Sequence, residues 1–186
     1  TSGVTNIRVG NNLGLSNLRI DHNTLYYGYE SIDMYGSFGV IENNYFYNPR
    51  KGISFTAGNR TQADASWTSL EAGTGNALFI ESNTFITNES YPLAYTQEQI
   101  GTYNGGKLVI RYNRFNASNM SVALAASSTY DPFMAHGSAD AACNAAGYWA
   151  NSSCQRRGQS VIEFYGNIAS GKRLDYLYTT RGSANL

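Results

Sequence analysis

Two carboxylates three residues apart, Glu30 and Asp33, and a lysine eighteen residues further on, Lys51, are the side chains of this chain best suited to chemistry. Carboxylate oxygens take a hard divalent cation such as calcium, with water completing the shell, and a lysine ammonium neutralises a carboxylate on a polymer. Eliminative cleavage of a uronate polymer needs positive charge beside the sugar carboxylate, to stabilise the enolate-like intermediate, and a base for the neighbouring proton. His136, Lys172 and Arg173 are the candidates for the proton role. Lys51, Tyr91, Tyr95, Arg156, Arg157 and Asp175 are the candidate substrate contacts. A tyrosine ring with its hydroxyl suits a partly apolar sugar face, and a guanidinium clamps an acidic group. Hydrolysis would instead require two carboxyl groups across a glycosidic bond, for which Asp33 and Asp175 are the available pair. Each residue has a plainer alternative: Asp33 as an exposed strand residue, Lys51 in a solvated turn, His136 bonded to its own loop, and tyrosines that merely suit strands.

A repeated frame has to position these groups. It reads Leu18, Ile20, Asn23, Leu25; Gly39, Ile41, Asn44, Phe46; Leu78, Ile80, Asn83, Phe85; Leu108, Ile110, Asn113, Phe115; and, most weakly, Ile162, Phe164, Asn167, Ala169. Alternate strand residues share a face, so the two apolar residues before each asparagine point inward. The asparagine itself sits at a corner, where its amide satisfies turned backbone and its counterpart in the next copy. Nine residues after each asparagine comes a further pair, read as inward-facing: Ile32 and Met34, Ile53 and Phe55, Pro92 and Ala94, Val122 and Leu124, Tyr176 and Tyr178. Three strands per copy and five copies predict an all-β, right-handed parallel β-helix, a solenoid of about five coils with an asparagine ladder. The long insertions, about residues 57–76, 96–106 and 126–160, are expected to leave one corner and wall a strand face. Ser31, Asp33, Ser54, Tyr91, Leu93, Tyr95, Asp175 and Leu177 are its expected outward floor.

Composition narrows the classes. The 186 residues are rich in Gly, Tyr, Asn and Ser and carry equal numbers of basic and acidic side chains, 13 each. No segment reaches membrane-spanning length, and no Lys/Arg stripe or basic helix points to nucleic acid. Residues 1–106 hold 5 basic and 9 acidic groups, residues 107–186 hold 8 and 4. That asymmetry fits either a solvated surface or an acidic polymer drawn to the basic end. Cys143 and Cys154 lie in one long loop; a disulfide between them would close it and suit an oxidising compartment, with free thiols as the other reading. A solenoid needs covered ends, and neither end reads as a cap. One domain over 1–186, as a piece of a longer chain or as a subunit that associates end to end, is therefore expected.

The run NLRIDHNTL, from Asn17 to Leu25, and the run ESIDMYGSFGVIENNYFYNPRKGISF, from Glu30 to Phe55, resemble the central coils of pectate-lyase-like right-handed β-helix proteins. The family shows a W-I-D-H stretch, an acidic pair within D-G-L-I-D, and a T-I-S-N-N-Y-F corner leading to a lysine. Asp21 and His22 match the D-H, Asp33 the second acid, Asn44 the corner and Lys51 the lysine. The resemblance implies that acids on this face help hold calcium and that the lysine contacts an acidic sugar. Arg19 stands where the family has tryptophan, Glu30 lies one residue closer to Asp33 than the family's first acid, and RFNASNMSVALAA follows Asn113 in place of the R-x-P-x-x-R segment that carries the family's catalytic arginine.

Two classes of function are consistent with these residues. One is an extracellular, lyase-like, carbohydrate-active β-helix holding an acidic polysaccharide along a strand face, with calcium as its cofactor. The other is a non-catalytic structural module: a stalk, fibre, adhesin or surface filament subunit.

Overall fold

The computed structural model describes residues 4–9, 15–56, 77–88, 97–103, 106–117, 130–136, 160–171, 179–181 and 184–185. They are all strand, turn and bend. In chain order the strands are β1 (Thr5–Val9), β2 (Leu18–Asp21), β3 (Thr24–Tyr26), β4 (Glu30–Tyr35), β5 (Gly39–Glu42), β6 (Tyr45–Tyr47), β7 (Lys51–Thr56), β8 (Leu78–Glu81), β9 (Thr84–Ile86), β10 (Gln97–Tyr103), β11 (Gly106–Arg111), β12 (Arg114–Ala117), β13 (Tyr130–His136), β14 (Ser160–Tyr165), β15 (Ile168–Gly171), β16 (Thr179–Arg181) and β17 (Ala184–Asn185). Consecutive strands never pair. Each joins the strand three places along, giving sheet I in the order β1-β4-β7-β10-β13-β16, sheet II in the order β2-β5-β8-β11-β14-β17, and sheet III in the order β3-β6-β9-β12-β15. Every one of these pairings is parallel. Visiting three sheets in rotation is the arrangement expected of a parallel β-helix. No helix among the described residues is long and apolar enough to cross a membrane.

The frame read from the sequence is the register of sheets II and III. Ile20, Ile41, Ile80 and Ile110 are successive partners, as are Leu25, Phe46, Phe85 and Phe115. All eight side chains are buried. Stacking like on like brings Phe46 and Phe85 to 4.4 Å between ring centroids and Phe85 and Phe115 to 4.9 Å, with nearly parallel planes. Gly39 occupies a position that is leucine in the neighbouring copies because its φ is 143° and a Cβ there would lie 2.0 Å from the Leu18 carbonyl oxygen.

The asparagines form the expected column. Nδ2 of Asn23, Asn44, Asn83 and Asn113 each donates at 3.0 Å to Oδ1 of the next asparagine, ending on Asn167. The same oxygens accept the backbone N–H of the preceding asparagine. The second amide hydrogen reaches a backbone carbonyl, that of Ile20 from Asn44, Ile41 from Asn83, Ile80 from Asn113 and Ile110 from Asn167. The residue before each asparagine is left-handed: His22, Asn43, Ser82, Tyr112 and Gly166 have φ between 54° and 64°. Non-glycine residues accept that conformation at a cost of about 1–2 kcal/mol because it turns the next amide into the column.

The nine-residue offset holds only in the first two coils. Ile32 and Ile53 are register partners, as are Met34 and Phe55. The next partner of Ile53 is Ile100, and the one after is Phe133, seventeen and twenty residues past their asparagines. Pro92, Ala94, Val122, Leu124, Tyr176 and Tyr178 lie outside the described residues, so β10 and β13 occupy stretches expected to be loop. Residues 89–96, 118–129 and 172–178 therefore connect sheet III to sheet I, while 57–76 and 137–159 connect sheet I to sheet II. Insertions enter on both sides of sheet I, not at one corner. The asparagine column ties only the corner between sheets II and III, and that corner alone keeps its length.

Asn83 is fully buried, whereas Asn23 is half-buried and is the first asparagine of the column among the described residues. Asn83→Ala strips partners from the Asn44 N–H, the Ile41 carbonyl and the neighbouring amides, and is expected to cost about 3 kcal/mol or more. Asn23→Ala should cost about 1 kcal/mol. Urea denaturation of the two variants checks the order; equal losses would remove the ladder's stabilising role.

Candidate functional site

The outer face of sheet I gathers charges. Glu30 on β4 is opposite Lys51 on β7, Glu98 on β10 is opposite Asp131 on β13, and Lys51 Nζ lies 2.7 Å from Glu98 and 3.8 Å from Glu30. Three positions along, Arg8 on β1 is opposite Asp33, and its Nε donates to Asp33 Oδ2 at 2.9 Å. Ser54 is the next partner of Asp33, and Gly101 that of Ser54. A Cβ at Gly101 would lie 2.9 Å from Glu98 Oε1, so the glycine makes room for that carboxylate.

Little of this face is open. Asp33, Ser54, Glu98 and Asp131 are buried, and the Lys51 side chain is 18% exposed. Arg8 differs: its side chain is 62% exposed, and its bond to Asp33 uses Nε, leaving the two terminal nitrogens directed to no described group. Burial raises the pKa of Glu30, opposed by Lys51, assisted by Asp33 and opposed again by Arg8 and a hydrogen bond from Ser54. Glu30, Asp33, Lys51 and Arg8 thus form one electrostatic unit.

Of the residues singled out in the sequence, Glu30, Asp33 and Lys51 come together. Ser31 does not face outward as expected. It is fully buried, and a Cβ at Gly52, its equivalent in the next strand, would strike the Phe85 ring at 2.5 Å. Strand alternation is broken there, so the residue after the charged one turns into the core. His136 is the last residue of β13, in register with Tyr103 and Arg181. Tyr91, Tyr95, Leu93, Lys172, Arg173, Asp175, Leu177, Arg156, Arg157, Cys143 and Cys154 lie outside the described residues. Arg8, Glu98 and Asp131 were missed. The signal for Glu98 and Asp131 is a charged residue two before an inward apolar one: Glu30 and Ile32, Lys51 and Ile53, Glu98 and Ile100, Asp131 and Phe133.

Glu30 and Asp33 each lie near a cation of the protein, Glu30 3.8 Å from a Lys51 that is closer to Glu98, and Asp33 2.9 Å from Arg8. Among the described residues no group of three or more His, Cys, Asp or Glu is placed to hold a metal ion.

Sheet II carries a second charged column, Asp21, Glu42, Glu81 and Arg111 in register. Repulsion between its acids is offset from both ends. Arg19 lies 3.4 Å from Asp21 and 3.0 Å from Glu42, while Arg111 bonds Glu81 and, at 3.0 Å, the Tyr165 hydroxyl. Hydrogen bonds to Tyr165 and Glu81 raise the Arg111 pKa, and a hydrogen bond with His22 lowers that of Asp21. Arg19, shared by Asp21 and Glu42, and Arg111 on Glu81 make this column a device for register.

Lys51→Met would take from Glu98 and Glu30 the cation between them and is expected to cost about 3 kcal/mol. Lys51→Met combined with Glu98→Gln should recover much of that loss, measured as urea midpoints. Glu30 supplies a pH test. Its raised pKa means that the folded chain holds the proton more tightly than the unfolded chain, so stability falls as pH rises from the ordinary glutamate value through the raised one. Glu30→Gln lacks this titration, and its stability relative to the parent should therefore increase over that window; a constant difference would contradict the raised value.

Compared with protein-family models, with curated proteins and with solved structures, the chain gives no match. Function has to be read from the geometry of its own residues.

Proposed function

We propose that this chain is an extracellular, carbohydrate-active β-helix of pectate-lyase-like kind, which holds an acidic polysaccharide along the outer face of sheet I and cleaves it by elimination. Right-handed winding is the finer fold reading, because parallel crossovers in one sheet are almost always right-handed. The observation that carries the proposal is Arg8 paired with Asp33, within the electrostatic reach of Glu30. An exposed guanidinium with uncommitted terminal nitrogens lies in the field of a carboxyl whose pKa is raised, on the sheet where inserted segments enter from both sides.

In this reading Arg8 pairs through its terminal nitrogens with the sugar carboxylate, which offsets charge as the adjacent proton leaves. Glu30 accepts that proton; a raised pKa makes it a stronger base than an ordinary carboxylate. Lys51, held between Glu30 and Glu98, keeps Glu30 in place, and Asp33 orients Arg8. Glu30 and Asp33 share the face with Arg8 and Lys51.

The structural-module reading draws on the same pairing: charges that neutralise one another need no ligand. Ultraviolet absorbance of unsaturated product on uronate polymers of graded esterification separates the two. Product is expected on at least one polymer, lowered about 100-fold or more by Glu30→Gln and given a higher KM by Arg8→Ala. No product on any polymer, together with end-to-end particles under the electron microscope, would favour the structural module.

A further inference from the structure

We propose that Glu98 is a positioning residue for Glu30: its carboxylate holds the Lys51 ammonium on itself and so keeps that ammonium beyond hydrogen-bonding reach of Glu30, and Gly101 is the space that allows it. The proposal rests on the reading of Glu30 as the base that accepts a proton on sheet I.

Register alone favours neither acid. Lys51 is the Cα partner of Glu30 on one side. On its other side is β10, where Glu98 stands two residues before Ile100 as Lys51 stands two before Ile53. The lysine nevertheless sits unequally between them. Its Nζ is 2.7 Å from Glu98, the length of a charge-assisted hydrogen bond, and 3.8 Å from Glu30, too long for one. Two features give Glu98 the advantage. Its side chain is 4% exposed against 22% for that of Glu30, and a buried charge pair is screened less. Asp131 faces it from β13 and is buried as well, so two acids side by side draw a cation to that end of the row.

Gly101 completes the arrangement. The three atoms nearest to a Cβ at this position all belong to the Glu98 carboxyl: Oε1 at 2.9 Å, Cδ at 3.0 Å and Oε2 at 3.4 Å. The positions in register with Gly101 on β7 and β4 are Ser54 and Asp33. Their side chains are turned to other partners, Ser54 donating to Glu30 and Asp33 accepting from Arg8. On β10 the same place is left to the Glu98 carboxyl.

The consequence for Glu30 is chemical. A close ammonium favours the charged form of a carboxylate and so weakens it as a base. Among the described residues the charged and titratable groups around Glu30 are Lys51 from β7, Asp33 and Tyr35 from its own strand, Arg8 from β1, and, through Lys51, Glu98 from β10 with Asp131 beyond it. Arg50, beside Lys51, stacks on the Tyr29 ring. Burial raises the Glu30 pKa, and Lys51 is the largest of the influences that oppose it. How far Lys51 is held from Glu30 therefore sets how strong a base Glu30 is.

Carbon NMR titration of the Glu30 carboxyl in the whole chain, with kcat and KM on the polymer that gives product, tests this. Glu98→Gln loosens the hold on Lys51, and Gly101→Ala displaces the Glu98 carboxyl while keeping every charge. Both are expected to lower the Glu30 pKa, to move the acidic limb of the kcat/KM profile to lower pH, and to reduce kcat about 10-fold with KM little changed. The alanine meets only the movable end of a side chain, which keeps the test open should Glu98→Gln fail to fold. The inference is overturned if either folded variant titrates at Glu30 as the parent does. A lowered titration in both while no polymer is cleaved would defeat the elimination reading and leave this positioning standing; product formed with the titration unchanged would do the reverse.

Discussion

A buried column of side-chain amides is the constraint on which the rest of this structure depends. Asn44, Asn83 and Asn113 each spend two amide hydrogens and both acceptor positions inside the protein, on the neighbouring asparagines, a carbonyl of the preceding coil and a neighbouring N–H. A slip of one residue would leave these groups buried without partners, at about 1–3 kcal/mol each. Because the column lies at the corner between sheets II and III, it sets the register of both. Sheet I receives its register at a distance, through the stacked core and its own strand pairing.

Fixed register has a cost as well as a benefit. Like residues fall on like, which suits Phe46, Phe85 and Phe115 but also aligns Asp21, Glu42 and Glu81. The chain answers with cations placed in or beside the column: Arg19 and Arg111 on sheet II, Lys51 and Arg8 on sheet I. The same rule makes the three outer faces chemically distinct. Sheet I holds a compact, mostly buried ionic unit, sheet II three acids that share Arg19 and Arg111, and sheet III tyrosines at one end with Arg114 further along.

The all-β class, the coil frame, the asparagine column and the inward core of sheets II and III were legible in the residues, because spacing there is tied to buried amides that tolerate no insertion. Glu30, Asp33 and Lys51 were legible as a group for the same reason, lying in the two coils with the shortest path from corner to strand. β10 and β13 were not. Their distance from the corner is set by inserted residues of free length, so a constant offset pointed to Pro92 and Val122 while Ile100 and Phe133 took the core positions. The charged residue two before each of those apolar side chains was present in the sequence, but a charge counts as a site marker only once its neighbours are known.

By itself the sequence determined that this chain stacks: alternation, corner asparagines and repeated apolar pairs are local patterns, and locality is enough to specify a coil. Only the tertiary structure decided which charges meet. The pairing of Arg8 with Asp33 and of Lys51 with Glu98 joins residues far apart along the chain, and the distance between them in space depends on how many turns the backbone makes, not on how many residues it uses. A carboxylate read as a calcium ligand became half of an ion pair for that reason. Tyr26 and Tyr27 meet Tyr47 because two successive coils bring them side by side.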